Sequence, residues 1–147
     1  MSQNQDTHTT RTDQLTFQNP VTRYPAIEPP VQHQPEPGLG ADLEPRADVG
    51  EHSYRGTGRL IGRRALITGG DSGIGAAVAI AFAREGADVA IHHLPAEEAD
   101  ARAVAEIIER EGRTVALLPG DLTDRTFCEG LADTAAEQLG GLDILVN

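Results

Sequence analysis

The pattern of hydrophobic and polar positions divides the chain into two parts. Residues 1–60 have few apolar positions, and they hold seven of the nine prolines and six of the seven glutamines. A segment of this composition buries too little apolar surface to offset the entropy lost when its backbone is ordered. From residue 61 onwards, Ala, Ile, Leu, Val and Gly dominate. We therefore predict a polar, Pro-rich N-terminal arm over 1–60 and a folded portion over 61–147.

Within the folded portion, short apolar runs alternate with segments whose apolar residues recur at helical spacing. The runs predict four strands, at 65–68, 88–92, 114–118 and 142–146. The spacing predicts a helix over 74–85 that carries Ile74, Val78, Ala81 and Phe82, a second helix over 96–111, and a third that Asp124 caps. Strands that alternate with helices form βαβ units with right-handed crossovers, so the pattern predicts an α/β fold with a parallel sheet.

Four glycines interrupt this pattern between the first strand and the first helix, in the sequence TGGDSGIG of residues 68–75. Glycine lets a ligand approach the backbone closely, and the free amides and dipole at the start of a helix favour an anion, for which phosphate is the natural choice. A nucleoside-triphosphatase loop needs lysine after its last glycine, where Ala76 stands. The GxGxxG fingerprint needs Gly or Ala at position 78, where Val78 stands. What remains is Thr-Gly, three residues, then Gly-x-Gly.

Charge and cysteine content narrow the function classes. The net charge is −11, with 23 acidic residues against 12 basic residues, all of them arginine. An acidic protein repels phosphate backbones and anionic lipids, so we expect neither nucleic acid nor a membrane as partner. The N-terminus lacks the apolar segment of a secretory signal, and the longest apolar run, residues 76–83, is too short to span a bilayer. These features favour a cytoplasmic protein. The spacing of the single Cys128 from Phe127 and Leu131 predicts a buried core position.

The glycine stretch resembles the short-chain dehydrogenase/reductase family, whose TGxxxGxG motif is met by Thr68, Gly69, Gly73 and Gly75. The third strand of that family ends in an Asp that reaches the adenine ring, and Asp121 in the sequence Gly-Asp-Leu occupies that place. The fourth strand of the family runs into Asn-Asn-Ala-Gly, and the sequence LDILVN supplies the first Asn. The resemblance covers residue 60 to the end. It implies the N-terminal half of a doubly wound parallel Rossmann sheet with strand order 3-2-1-4, preceded by the arm.

The resemblance implies an NAD(P)-dependent oxidoreductase that transfers hydride between nicotinamide and a small alcohol or carbonyl substrate, with aldehyde reduction as one form. It further implies a homo-oligomer, expected to be a tetramer. The cofactor-binding residues that it implies are Gly69, Asp71, Ser72, Gly73, Ile74, Gly75, His93, Leu94, Asp121, Leu122 and Asn147. We predict no metal site, because His92 and His93 are neighbours in a strand and point to opposite faces.

The choice between NAD and NADP rests on the end of the second strand. NAD enzymes usually place an acid there, about twenty residues past the glycines, to bind the ribose 2′-hydroxyl. Here His92 and His93 end the strand, no acid occurs before Glu97, and no arginine stands ready for a 2′-phosphate. Ser72 is neutral where NADP-preferring relatives often carry a basic residue. The missing acid removes a repulsion against the 2′-phosphate, so the sequence favours NADP slightly over NAD.

The arm resembles a bacterial subgroup of the same family with extended N-termini, some of whose members are described as stress-associated or as aldehyde reductases. The matching elements are Tyr24-Pro25, Pro37-Gly38 and GEHSYRGTGRL of residues 50–60. In that subgroup the arm packs along the assembled subunits. Composition alone predicts a disordered tail instead. Both alternatives stay open at the level of sequence.

The family's catalytic residues are expected to lie outside this chain. They are a Tyr, a Lys four residues later that lowers the pKa of the Tyr, a Ser and a further Asn. The chain has two tyrosines, at 24 and 54, followed four residues later by Glu28 and Gly58, and it has no lysine. We therefore expect the N-terminal portion of a longer oxidoreductase, inactive and poorly soluble by itself. The alternative is a non-catalytic nucleotide-binding or assembly module, and the DNA beyond codon 147 distinguishes the two.

Overall fold

A computed structural model describes residues 13–24, 26–36 and 38–147 of the chain. Four parallel strands form one sheet in the order β3-β2-β1-β4, which confirms the predicted 3-2-1-4 topology. The strands are β1 (Arg64–Thr68), β2 (Asp88–His93), β3 (Val115–Pro119) and β4 (Ile144–Val146). The α-helices are α1 (Gly73–Arg84), α2 (Glu98–Arg110) and α3 (Arg125–Leu139), with short 3₁₀ turns at Gly40–Asp42 and Pro95–Glu97. Pro25 and Pro37, which belong to the arm's resemblance, lie outside the described residues, as does the N-terminal segment 1–12.

Helices cover both faces of the sheet, as a parallel sheet requires. On one face, α1 and α2 pack on alternate strand residues, with Ile67, Ile80, Ile91 and Ile108 fully buried between them. On the other face, α3 packs Leu131 and Ala135 against the opposite set of strand residues, which includes Leu66, Ala90 and Leu118. The near-continuous apolar runs of the strands therefore follow from burial on both sides.

The structure corrects three details of the sequence prediction. The second helix begins at Glu98, because Pro95–Glu97 forms a 3₁₀ turn before it. Ile74 is 86% exposed, and the buried face of α1 consists of Ala76, Ala79, Ile80 and Ala83 instead. The fourth strand is shorter than predicted and begins at Ile144.

Cys128 is exposed, so its predicted core position is wrong. The reason lies one residue earlier, in Phe127, which takes the inward position on the first turn of α3. Its ring lies so close to Gly120 that a Cβ there would approach the ring carbons to 2.2 Å. The Phe127 ring also lies 5.7 Å from that of His92. The inward turn of Phe127 leaves Cys128 on the solvent side of the helix.

Hydrogen bonds join the C-terminal end of the arm to the C-terminal end of α1. Arg84 donates from its guanidinium to the carbonyls of Gly50, Glu51 and Tyr54 at 2.7–2.9 Å. The buried carboxylate of Glu85 accepts hydrogen bonds from the Tyr54 hydroxyl and from the backbone and guanidinium of Arg59. These bonds lower the pKa of Glu85 far below the ordinary carboxyl range, the side-chain bond from Arg59 most of all. One helix end therefore holds the arm through two adjacent charged residues.

No helix among the described residues combines the length and the apolarity that crossing a membrane requires.

Candidate cofactor site

The glycine-rich loop lies at the carboxyl end of β1 and leads directly into α1. Gly69 and Gly73 have φ angles of +59° and +50°, a region that favours glycine, and a Cβ at either position would have no heavy atom within 4 Å. Both positions therefore face open space that a ligand can fill. Ser72 is the N-cap of α1, and its side chain makes no capping hydrogen bond. The first amides of α1 are consequently available to an anion, which the helix dipole also favours.

Gly75 has a different task in the same loop. A Cβ at this position would lie 1.9 Å from the Gly69 carbonyl oxygen and 3.0 Å from the Gly70 Cα. The first turn of α1 therefore packs directly on the backbone that leaves β1. Gly70 in turn donates its amide to the carbonyl of His92 at 3.1 Å, which fixes the loop to β2.

His92 joins the glycine loop to the loop that follows β3. The ring is 5% exposed. Its Nδ1 accepts the Gly69 amide at 3.4 Å, and its Nε2 lies 3.3 Å from the Gly120 carbonyl. A carbonyl only accepts, so in this pairing Nε2 donates to Gly120 while Nδ1 accepts from Gly69. The sequence pattern identifies His92 as a strand-end residue, but no motif signals its contact with the two loops.

Asp121 follows β3 and lies next to this bridge. Its Oδ1 accepts the Thr123 amide and the Thr123 hydroxyl, both at 2.8 Å. The pKa of Asp121 is lowered, chiefly by the hydrogen bond from the Thr123 amide and next by the hydrogen bond from the Thr123 hydroxyl. The carboxylate is therefore ionised at neutral pH and is held in one orientation, with Leu122 partly exposed beside it.

His93 lies at the end of β2, but its side chain is enclosed. The imidazole has no exposed surface. Its Nδ1 donates to the Leu94 carbonyl at 2.8 Å, and its Nε2 lies 3.3 Å from a Glu98 carboxylate oxygen without the geometry of a hydrogen bond. The position therefore contributes backbone to the surface of the site, while its ring is turned towards α2.

A cavity of about 350 Å³ opens at the carboxyl ends of β1, β2 and β3, between these elements. Its lining residues are Thr68, Gly69, His92, His93, Leu94, Glu97, Asp121 and Leu122. Five of the eleven residues predicted from the sequence, namely Gly69, His93, Leu94, Asp121 and Leu122, thus meet at one cavity. The carboxyl edge of a parallel sheet, beside a glycine-rich turn, is where α/β proteins bind nucleotides.

The other predicted residues do not line this cavity. Asp71, Ser72 and Gly73 border a second space of about 650 Å³ beneath the arm. Ile74 is exposed on the first turn of α1. Asn147 is exposed after β4, and its Oδ1 lies 3.4 Å from the Thr68 hydroxyl. Within the described ranges, no group of three or more His, Cys, Asp or Glu side chains is arranged to hold a metal ion.

The fold and the loop together define an α/β protein with a dinucleotide-type phosphate loop. Comparison with known families gives the more specific assignment, since the profile of the short chain dehydrogenases matches residues 63–147. The chain belongs to the short-chain dehydrogenase family.

Individual relatives agree with this assignment. The chain is 55% identical over 127 residues to the uncharacterised oxidoreductase YhxD of Bacillus subtilis, covering 86% of this chain and 42% of the relative. It is 56% identical over 129 residues to the uncharacterised oxidoreductase YghA of Escherichia coli, covering 88% and 44%. A crystal structure of a short chain dehydrogenase from Burkholderia cenocepacia in complex with NADP matches with a TM-score of 0.58 and 48% identity, over 60% of this chain and 36% of that one. The chain spans less than half the length of these relatives.

Proposed function

We propose that this chain supplies the cofactor-binding portion of an NAD(P)-dependent oxidoreductase that transfers hydride between nicotinamide and a small alcohol or carbonyl substrate. The observation that carries the proposal is the His92 bridge, which joins the glycine loop and the Asp121 loop around one cavity. A dinucleotide needs both ends of such a site, a phosphate cradle and an adenosine pocket.

The residues present fit this cofactor. The open Cβ directions of Gly69 and Gly73 leave room for a diphosphate against the first amides of α1. Leu94, Asp121 and Leu122 line the cavity in which we propose that the adenosine half lies. When bound, the nicotinamide supplies the hydride. The protein's task in this portion of the chain is to orient the dinucleotide and to exclude water from its adenosine end.

We propose NADP over NAD as the preferred cofactor. The absence of an acid within the last residues of β2 supports this preference, and so does the NADP-bound relative from Burkholderia cenocepacia. We further propose assembly as a homo-oligomer on the basis of family membership. The lack of a secretory signal at the N-terminus and of a long apolar run supports a cytoplasmic location.

The acid/base step is proposed to use no residue of 1–147. A catalytic Tyr needs a lowered pKa and a neighbouring Lys, and the chain has no lysine. Tyr54 donates its hydroxyl to Glu85 at 2.5 Å, and this bond raises its pKa. Tyr54 is therefore suited to holding the arm and unsuited to proton transfer at neutral pH.

A reduced-nicotinamide absorbance assay tests the proposal. The full-length protein should oxidise NADPH when supplied with a panel of aldehydes and ketones, whereas the 147-residue chain should not. Turnover by the 147-residue chain alone would contradict the assignment of the acid/base step. Failure of the full-length protein to bind either NADPH or NADH in calorimetry would contradict the cofactor assignment.

A further inference from the structure

A short turn of the N-terminal arm lies against the glycine-rich loop and α2. It is the 3₁₀ segment Gly40–Asp42, and its first amide, that of Gly40, donates to Asp100 Oδ2 at 2.6 Å. A Cβ at Gly40 would lie 3.3 Å from the same oxygen and 3.5 Å from Ser72 Cβ. The arm therefore packs at one position against both the N-cap residue of α1 and the first turn of α2.

The hydrogen bond to Asp100 locates this part of the arm. Among the described residues, it is the only hydrogen bond from the stretch 38–48 to the folded portion of the chain, and the other hydrogen bonds of that stretch stay within the arm. A space of about 650 Å³ lies between the arm and the two helices. Asp100 is only 9% exposed, so water competes little for the bond. Loss of this bond would therefore free the turn from α2.

Ser72 connects this contact to the start of α1. Its carbonyl accepts the Ala76 amide at 3.0 Å, and its side chain makes no capping hydrogen bond. The position of Ser72 therefore depends on its backbone and on the groups that pack on it. Gly75 holds the loop through its close contact with Gly69, and the arm turn adds a second contact at Ser72. A displaced turn would leave the first amides of α1 less firmly placed.

Diphosphate binding depends on the position of those amides. We propose that Asp100 is a positioning residue for dinucleotide binding, because it holds the arm turn against Ser72 and thereby steadies the start of α1. Docking of the arm and binding of the dinucleotide then stabilise each other, since coupling between two sites acts equally in both directions. This inference rests on the proposed function, because it requires a diphosphate at the first amides of α1.

Two variants of Asp100 separate this role from a purely structural one. An acid in the first turn of a helix also stabilises the helix through its dipole. Asp100→Asn removes that effect but keeps an oxygen that can accept the Gly40 amide, whereas Asp100→Ala removes both. Both variants should therefore melt at lower temperature than the wild type, but only Asp100→Ala should lose affinity for the dinucleotide.

Calorimetry on the full-length protein measures the effect with NADPH as the probe. The dissociation constant should rise about fivefold or more in Asp100→Ala, which is the low end of the usual coupling between two sites. It should change less than about twofold in Asp100→Asn. Glu109→Ala is the matched control, since Glu109 is an exposed acid of the same helix that does not line the space beneath the arm. It should also change the constant less than about twofold.

Gly40→Pro removes the same hydrogen bond from the side of the arm. Proline has no N–H and suits the first position of a helical turn, and the preceding Leu39 has the extended backbone that proline requires, with a ψ of 135°. This variant should weaken NADPH binding as much as Asp100→Ala does. The double variant should show no further loss, because both changes remove one interaction.

Hydrogen exchange provides the reciprocal measurement. Saturation of the wild type with NADPH should slow exchange in the segment 38–43, and this protection should disappear in Asp100→Ala. The inference is overturned by unchanged NADPH affinity in both Asp100→Ala and Gly40→Pro, by an equal loss in Asp100→Asn, or by exchange that NADPH does not alter in the wild type. Absence of wild-type binding to both NADPH and NADH would instead overturn the proposed function.

Discussion

The contact between Gly75 and the Gly69 carbonyl makes Gly75→Ala a sharp test of the phosphate loop. The added methyl would lie 1.9 Å from the carbonyl oxygen, whereas ordinary contact begins near 3.4 Å. The neighbour is backbone and has no rotamer to change, so the loop or the start of α1 must move by about 1.5 Å. We expect the diphosphate-binding amides to move with it.

The magnitude follows from the type of clash. Overpacking of a well-packed site costs about 1–3 kcal/mol. That is less than the roughly 5–15 kcal/mol by which folded proteins are stable, so the variant should still fold. Its melting temperature should fall by several degrees. Affinity for the dinucleotide should fall by more than about tenfold, because a loss of about 1.4 kcal/mol in binding already has that effect.

Thermal melting and calorimetric titration of the full-length protein check both effects. Gly130→Ala is the matched control, since Gly130 lies within α3 and a Cβ there would meet no heavy atom within 4 Å. It should stabilise the protein by about 0.5–1 kcal/mol and leave affinity unchanged. Wild-type affinity in Gly75→Ala would refute the role of this loop.

Three further predictions concern other contacts. Glu85→Gln should speed hydrogen exchange at the amides of Thr57 and Arg59, which donate to Glu85. Because the folded pKa of Glu85 is lowered, the wild type should be more stable than this variant by the full amount above the ordinary carboxyl pKa of about 4.3, and this difference should shrink as the pH falls below it. Denaturant titrations at several pH values measure the difference, and a pH-independent difference would contradict the ion pair. His92→Leu removes two long hydrogen bonds, so dinucleotide affinity should fall about fivefold, equivalent to about 1 kcal/mol. Unchanged affinity in calorimetry would show that the His92 hydrogen bonds do not support dinucleotide binding. Leu145→Lys places a charge on β4, where Leu145 is 55% exposed, and should raise the solubility of the 147-residue chain, which is expected to be poor. Unchanged solubility would show that another surface is responsible.

The strands and the glycine loop were accessible from the sequence because each depends on local signals, whereas the strand order was implied by the family resemblance. Apolar runs mark strands that are buried on both faces, and the glycines at 69, 73 and 75 sit where only glycine meets the φ and packing demands. These features depend on short stretches of chain, so they need no knowledge of distant neighbours.

The finer parts of the site depend on contacts between separate elements and could not be predicted. The His92 bridge requires that the loops after β1 and β3 lie on either side of β2. It also requires that one ring nitrogen reaches the Gly69 amide and the other reaches the Gly120 carbonyl. The exposure of Cys128 depends on the space that Gly120 leaves for Phe127. The position of Glu97 depends on a 3₁₀ turn in a segment whose apolar spacing predicts an α-helix.

A crystal structure of the full-length protein with NADPH tests the central claim most directly. The account predicts that the diphosphate oxygens lie within hydrogen-bond distance of the first amides of α1, beside Gly73, and that the adenine occupies the cavity next to Asp121. A dinucleotide whose diphosphate lies away from the first amides of α1, or whose adenine lies away from Asp121 and His92, would contradict it.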